Sequence, residues 1–154
     1  MKKFDLNFYS GKRVLVTGHT GFKGTWLCRL LLNMGAQVTG YSLQPPTEPS
    51  IFGLAGMDRQ MNSITGDIRN LDRLLEVFRE NRPEIVLHLA AQPIVRESYK
   101  NPVYTYETNV MGTVNILECI RQTDSVRSFL NVTTDKVYHN REWEWGYRED
   151  DPLD

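Results

Sequence analysis

The sequence of 154 residues is poor in cysteine, in long apolar runs and in net charge. Its two cysteines, Cys28 and Cys119, cannot build a disulfide framework, and both lie in apolar helical patterns, which predicts reduced core thiols. Apolar runs are short or broken by charge, as Arg29 interrupts residues 27–32, and none approaches the roughly 20 residues of a membrane span. Eighteen Lys and Arg against nineteen Asp and Glu leave a formal charge of −1, which gives no electrostatic support for binding nucleic acid or an acidic membrane.

The sequence also lacks the signals of export and of a metal site. Residues 1–13 are charged and have no apolar segment of the secretory kind, so we expect a cytoplasmic protein. The three histidines, His19, His88 and His139, have no cysteine or carboxylate cluster at ligand spacing, and no metal site is predicted. With 40% apolar and 24% charged residues, the composition fits about one ordinary globular domain, residues 1–154.

What is present is an alternation of short strand-like runs and helical patterns. Strands are predicted at residues 13–17, 37–41, 61–65, 84–89 and 128–133, helices at 22–34, 71–81 and 101–122, and loops at 42–58 and from 135 onward. This alternation indicates an α/β fold, a doubly wound parallel sheet of Rossmann type with strand order 3-2-1-4-5. Such sheets bind ligands where the strand order reverses, so the loops after Thr17 and Leu89 form the candidate site.

A glycine-rich loop joins the first strand to the first helix, at residues 17–24. Gly18 suits a tight turn, Gly21 the close approach of backbone to a pyrophosphate, and Gly24 close contact between helix and strand. The helix start adds free N–H groups and the positive end of the helix dipole. Together these features predict a dinucleotide site.

The residue that ends the second strand indicates which dinucleotide is bound, because an acidic residue there would hold the adenosine ribose. This sequence has Ser42, which can hydrogen-bond a ribose hydroxyl, and the only cation between residues 25 and 57 is Arg29. The lack of a cation for a 2′-phosphate favours NAD. Lys23, and His19 if protonated, are candidates for a cation beside the diphosphate; the alternative for both is exposure to solvent.

The GxxGxxG loop, with residues 66–68, 88–91 and 108–110, resembles the extended short-chain dehydrogenase/reductase family. Asp67 stands at the family position that meets the adenine edge, but it is alternatively a cap or turn residue. Asn109 is alternatively a polar residue that satisfies nearby backbone. The resemblance implies cofactor contacts from Gly18, His19, Thr20, Gly21, Phe22, Lys23, Gly24, Ser42, Asp67, Ile68, Leu89, Ala90, Ala91, Gln92, Asn109 and Thr133.

The fifth predicted strand is followed by a hydroxyl, a carboxylate and an amine in succession: Thr134, Asp135 and Lys136. General acid and base groups are useful at the carboxyl end of a central strand, although a turn with solvated charges is the alternative. With the segments 44–50 and 140–149, this run resembles the CDP-glucose 4,6-dehydratases over essentially the whole chain. Relatives that act on dTDP-glucose have Asp-Glu at the last two of these three positions, and those that act on GDP-mannose have Ser-Glu.

The resemblance implies conversion of CDP-glucose to CDP-4-keto-6-deoxyglucose, with NAD taking a hydride from C4 and returning it to C6 after water has left. Thr134 would hydrogen-bond the C4 oxygen, and Asp135 would protonate the departing C6 hydroxyl. Lys136 would handle the C5 proton, a role that a lysine fills only where burial or positive charge lowers its pKa.

One family motif, the YxxxK of the helix that carries the catalytic tyrosine, is absent: no Tyr is followed by Lys four positions later. We therefore expect this chain alone to be inactive or very weak, because loss of a general base costs about 10²–10⁴ in rate. The expected domain is a Rossmann domain without the outer strands and substrate domain of the family, whose members form homodimers. Two alternatives stay open: another nucleotide-sugar dehydratase or epimerase, and a non-catalytic NAD-responsive binding module.

Overall fold

The computed structural model describes residues 7–134 and 136–153, in which five parallel strands form one sheet. The strands are β1 (Arg13–Thr17), β2 (Gln37–Ser42), β3 (Asn62–Thr65), β4 (Ile85–His88) and β5 (Ser128–Asn131). Their order is β3-β2-β1-β4-β5, which confirms the predicted doubly wound sheet. Thr17 pairs with His88 in the register of β1 and β4, so the two loops predicted to form the site leave the sheet side by side.

Helical segments connect the strands and cover both faces of the sheet. They are α1 (Phe22–Asn33), α2 (Ile51–Leu54), α3 (Leu71–Asn81), α4 (Val95–Lys100), α5 (Pro102–Tyr106) and α6 (Gly112–Arg121), with a 3₁₀ turn at Met57–Arg59 and a π turn at Glu107–Met111. Over the residues that the structure describes, no helix is both long and apolar enough to cross a membrane.

The core has two layers, one on each face of the sheet. Val14 of β1 belongs to the layer beneath α1, whereas Leu15 belongs to the layer beneath α3 and α6. Cys28 lies in the first layer and Cys119 in the second, and both are fully buried free thiols, as predicted. Burial raises the pKa of both thiols to about 12, so they behave as small apolar core residues.

The helix α3 begins and ends where its sequence signals predict. Asn70 caps the start, because its side-chain oxygen accepts a hydrogen bond of 3.1 Å from the backbone N–H of Arg73. At the other end Arg82 has a left-handed φ of 43°, and the following Pro83 cannot continue the helix.

Two connections differ from the sequence prediction. Residues 42–58 contain α2 in place of a continuous loop, because Ser50 accepts a hydrogen bond of 3.1 Å from the N–H of Gly53 and so caps a short helix. The predicted helix 101–122 is preceded by α4, and Pro102 separates α4 from α5 because it has no N–H to continue the hydrogen bonding. The π turn between α5 and α6 divides the predicted helix 101–122 a second time.

Candidate cofactor-binding crevice

The glycine loop folds so tightly that two of its glycines leave no room for a side chain. Gly18 has a left-handed φ of 73°, and a Cβ atom built on it would lie 2.9 Å from the backbone nitrogen of Ala90. A Cβ atom on Gly24 would lie 2.1 Å from the carbonyl oxygen of Gly18. The loop after β1, the first turn of α1 and the loop after β4 therefore meet in backbone contact.

The start of α1 is open to an anion. Gly21 occupies the cap position with no side-chain hydrogen bond, and the first turn carries no acidic residue. The first N–H groups of a helix have no partner within the helix, and the helix dipole adds positive character there. The neighbouring Lys23 is exposed, as is Phe22 with 69% of its surface accessible. This end of the helix suits a phosphate group.

His19 points away from that site, into the core. Its Nε2 lies 2.8 Å from the hydroxyl of Ser63, and its ring packs edge-on against Phe52 with centroids 5.2 Å apart. Burial lowers the pKa of His19 to about 4, so the imidazole is neutral at neutral pH. The alternatives of a protonated His19 beside the diphosphate and of an exposed His19 are both wrong, and only its backbone lies in the loop.

Thr20 and Ser42 join the glycine loop to the end of β2. Their hydroxyl oxygens are 2.8 Å apart, and the Thr20 hydroxyl also donates to the carbonyl oxygen of Leu43 at 2.9 Å. Both side chains are buried. Ser42 thus stands at the carboxyl end of β2, where the sequence predicts a contact with the adenosine ribose.

Asp67, in the loop after β3, is held by the residue two positions later. Its carboxylate accepts a hydrogen bond of 2.9 Å from the backbone N–H of Arg69 and a side-chain bond of 2.7 Å from the same arginine. These bonds hold the pKa of the Asp67 carboxyl below its usual range. Arg69 also reaches Glu107 of the π turn at 2.9 Å. The turn alternative for Asp67 fits this geometry, whereas the cap of α3 is Asn70.

Ile68 is 4% exposed, and its side chain belongs to the core. Its carbonyl oxygen accepts a hydrogen bond of 2.9 Å from the side-chain amide of Asn115. The preceding carbonyl, that of Asp67, accepts a bond of 3.0 Å from the hydroxyl of Tyr41. The loop after β3 is therefore anchored by one side chain of β2 and one side chain of α6.

A chain of buried hydrogen bonds fixes the start of the loop after β4. The hydroxyl oxygen of Thr17 accepts bonds of 3.1 Å from the N–H groups of Leu89 and Ala90, and lies 2.6 Å from Nδ1 of His88. Since Thr17 already accepts twice, its hydrogen goes to Nδ1, and Nε2 of His88 carries the ring hydrogen. That Nε2 lies 3.2 Å from the hydroxyl of Thr113, which donates to the carbonyl of Asn109 at 2.7 Å.

Asn109 closes the same loop from the π turn. Its Oδ1 accepts a bond of 2.7 Å from the N–H of Gln92, and its amide donates to the carbonyl of Gln92 at 3.0 Å. The side chain therefore satisfies nearby backbone, which is the alternative left open by the sequence. Ala91, between His88 and Gln92, has a small side chain and is exposed.

The segment after β5 begins beside β4, because the N–H of Val132 donates to the carbonyl of His88 at 3.1 Å. Thr133 has a left-handed φ of 53°, an uncommon conformation for a β-branched residue. The next hydroxyl, that of Thr134, accepts a bond of 3.2 Å from the N–H of Lys136. Thr134 and Lys136 are exposed. The predicted acid Asp135 lies outside the described residues.

The structure thus places the loops that follow β1, β2, β3 and β4 at one edge of the sheet, at the carboxyl ends of these parallel strands. It adds Thr17, His88 and Thr113, which were not predicted as site residues and which hold the loop after β4. The sequence did contain a signal for them: Thr17 and His88 are polar residues within apolar strands, and buried polar side chains need hydrogen-bond partners. Within residues 7–134 and 136–153, no group of three His, Cys, Asp or Glu side chains is placed to hold a metal ion.

Comparisons with known proteins point to one family. The family model described as GDP-mannose 4,6 dehydratase matches residues 15–154. A CDP-glucose 4,6-dehydratase from Salmonella typhimurium strain LT2 is 54% identical over 149 residues, which are 97% of this chain and 42% of that protein. The chain therefore spans less than half the length of this curated relative.

Solved structures of epimerases share the fold. The epimerase Mth375 from Methanothermobacter thermautotrophicus has a TM-score of 0.77 and 27% identity, covering 95% of this chain and 42% of that one. A UDP-glucose 4-epimerase from Thermus thermophilus, solved in complex with NAD, has a TM-score of 0.75 and 29% identity, covering 92% of this chain and 44% of that one.

Proposed function

The chain belongs to the GDP-mannose 4,6-dehydratase family, and from that premise we propose that it binds NAD and supplies the cofactor site and three catalytic groups of a CDP-glucose 4,6-dehydratase. The choice of substrate is supported by the 54% identity to a CDP-glucose 4,6-dehydratase. The choice of NAD is supported by the NAD complex of a similar structure and by Ser42 at the end of β2.

The observation that carries the proposal is the cradle made by the glycine loop. A Cβ atom on Gly24 or Gly18 would collide with backbone, so only glycine allows the loop to fold this closely around the open start of α1. A dinucleotide has a diphosphate that suits this helix start and an adenosine ribose that suits the end of β2. The glycine loop, Ser42 and the loop after β4 would hold the cofactor.

The segment after β5 would act on the sugar. When bound, NAD supplies an acceptor for the C4 hydride of glucose and a donor of that hydride to C6. Thr134 would hydrogen-bond the C4 oxygen and orient the sugar. The C4 hydroxyl proton would go to the tyrosine of the family's YxxxK motif, which this sequence does not contain. Asp135 would protonate the C6 hydroxyl, which leaves as water. Lys136, which is exposed in this chain, would take the C5 proton once the bound sugar shields its amine from water, and would return a proton to C5 when the hydride reaches C6. The product would be CDP-4-keto-6-deoxyglucose.

Calorimetric titration of the purified 154-residue chain tests the cofactor proposal. We expect saturable binding of NAD at one site and weaker binding of NADP, because no cation is supplied for a 2′-phosphate by residues 25–57 other than Arg29. The same titration with buffer alone is the control. Absence of NAD binding would contradict the proposed function.

A chimera tests the substrate and the catalytic groups. It carries this chain in place of the aligned residues of the Salmonella typhimurium relative. We expect it to convert CDP-glucose faster than dTDP-glucose or GDP-mannose, and we expect Asp135→Asn to lower kcat by about 10²–10⁴, the usual effect of removing a general acid. Asp150→Asn makes the same change at an exposed site and serves as the control. Preference for GDP-mannose, or full activity of the Asp135 variant, would refute these roles.

A further inference from the structure

The direction of the hydrogen bond between Thr20 and Ser42 follows from a third atom, the carbonyl oxygen of Leu43. The Thr20 hydroxyl lies 2.9 Å from that carbonyl and 2.8 Å from the Ser42 hydroxyl. A carbonyl oxygen only accepts, and a threonine hydroxyl has a single hydrogen, so this hydrogen goes to Leu43. Ser42 must then donate its own hydrogen to Thr20.

Ser42 is left with lone pairs alone toward any ligand. Thr20 is 7% exposed and Ser42 is 9% exposed, so both hydroxyls are held within the protein and do not rotate freely into water. We propose that Thr20 is a positioning residue which makes Ser42 a pure hydrogen-bond acceptor and thereby sets the preference for a ribose 2′-hydroxyl over a 2′-phosphate. This inference rests on the proposed function, since it concerns the same cofactor site.

The two ligand groups differ in what they offer to such an acceptor. A ribose hydroxyl has a hydrogen to donate. A phosphate monoester is largely a dianion at neutral pH, because its second pKa is about 6, and it offers acceptor oxygens only. The lone pairs of Ser42 would therefore bind the hydroxyl and repel the phosphate. A serine whose hydrogen were free would bind either group, so the selectivity resides in the bond to Thr20.

Replacing Thr20 by valine tests this role, because valine keeps the shape of threonine and removes its hydroxyl. The Ser42 hydrogen would then be free to turn toward a ligand. We expect the ratio of NAD affinity to NADP affinity to fall by about 3- to 10-fold, the equivalent of one hydrogen bond. Calorimetric titration with both cofactors measures this ratio. Thr20→Ser should restore it, and Thr123→Val, which removes a half-buried hydroxyl at the end of α6, should leave it unchanged.

A double-mutant cycle separates positioning from a general structural effect. If Thr20 acts through Ser42, Thr20→Val changes the affinity ratio in the native chain but not in the Ser42→Ala background. Thr20→Ala serves as a second variant should the valine not fold, and circular dichroism reports folding.

Two outcomes overturn the inference: an unchanged ratio in Thr20→Val, and an equal change in both backgrounds. If the native chain binds NAD and either of these outcomes is found, the inference is wrong but the proposed function still stands. Absence of binding of both cofactors to a folded native chain defeats the proposed function and the inference with it.

Discussion

Replacing Gly24 by alanine should abolish NAD binding and lower the free energy of unfolding by about 3 kcal/mol, the upper range for adding a methyl group to a closed site. The added Cβ atom would lie 2.1 Å from the carbonyl oxygen of Gly18 and 2.8 Å from Cα of His19. Both are backbone atoms, so no side-chain rotation relieves the clash. The loop would have to move away from α1, and its contact with Ala90 would go with it.

Urea unfolding followed by circular dichroism and titration with NAD measure the two effects. Gly146→Ala is the matched control, because a Cβ atom there meets nothing within 4 Å. We expect this control to lie within about 0.5 kcal/mol of the native chain, as for most surface changes. An unchanged urea midpoint and an unchanged NAD affinity in Gly24→Ala would contradict the described contact.

Acidification from pH 7 to pH 5 should destabilise the chain by roughly 2 kcal/mol for each of two buried histidines. Burial lowers the pKa of His19 and of His88 from 6.5 to about 4. Between these values the unfolded chain binds a proton at each histidine and the folded chain does not, so the free energy of unfolding falls as the pH falls through this window. Below about pH 4 these two groups add no further loss.

Urea unfolding at intervals between pH 7.5 and pH 5 measures this slope above the ordinary range of carboxyl titration. His88→Gln should remove about half of the slope, since it removes one of the two groups. Thr123→Val removes a half-buried hydroxyl and no titrating group, so it should leave the slope intact. A free energy of unfolding that stays constant from pH 7 to pH 5 would show that the two imidazoles are not held neutral by the fold.

The strands and the glycine loop could be predicted because their signals are local, and the sheet order followed from the alternation of strands and helices. β1 is a short β-branched run that Gly18 follows, and the spacing of the glycines can be recognised without reference to any distant part of the chain. The end of α3 was predicted from an equally local signal, because Pro83 follows it two residues after Asn81. Each of these signals acts over one turn of chain.

The orientation of His19 could not be predicted in the same way, because it depends on a residue of another strand. A Cβ atom on Gly40 of β2 would lie 2.2 Å from the His19 ring. The ring therefore fits against β2 only because Gly40 has no side chain. A glycine inside a predicted strand is the signal that a close approach is to be expected there, although it does not identify the neighbour.

The hydrogen-bond partners within the site could not be predicted from neighbouring residues in the sequence either. Thr20 and Ser42 are separated by 22 positions, and Thr17 and His88 by 71. Residue types at single positions are compatible with a ligand contact or with a buried partner, and only the tertiary arrangement selects between them. Asn109 illustrates this, because its amide was suited to either role and the structure assigns it to the backbone of Gln92.

Because of the π turn at Glu107–Met111, the number of residues between α5 and α6 determines where Asn109 points. A turn of this kind holds one residue more than an α-helical turn, so the helix before it and α6 after it differ in angular phase by about 100°, one residue of rotation. Deleting Val110, which lies in the turn between Asn109 and α6, should give an uninterrupted α-helix with α6 still packed on the core. Asn109 would then face away from Gln92, even though every hydrogen-bonding side chain of the site was still present in the sequence.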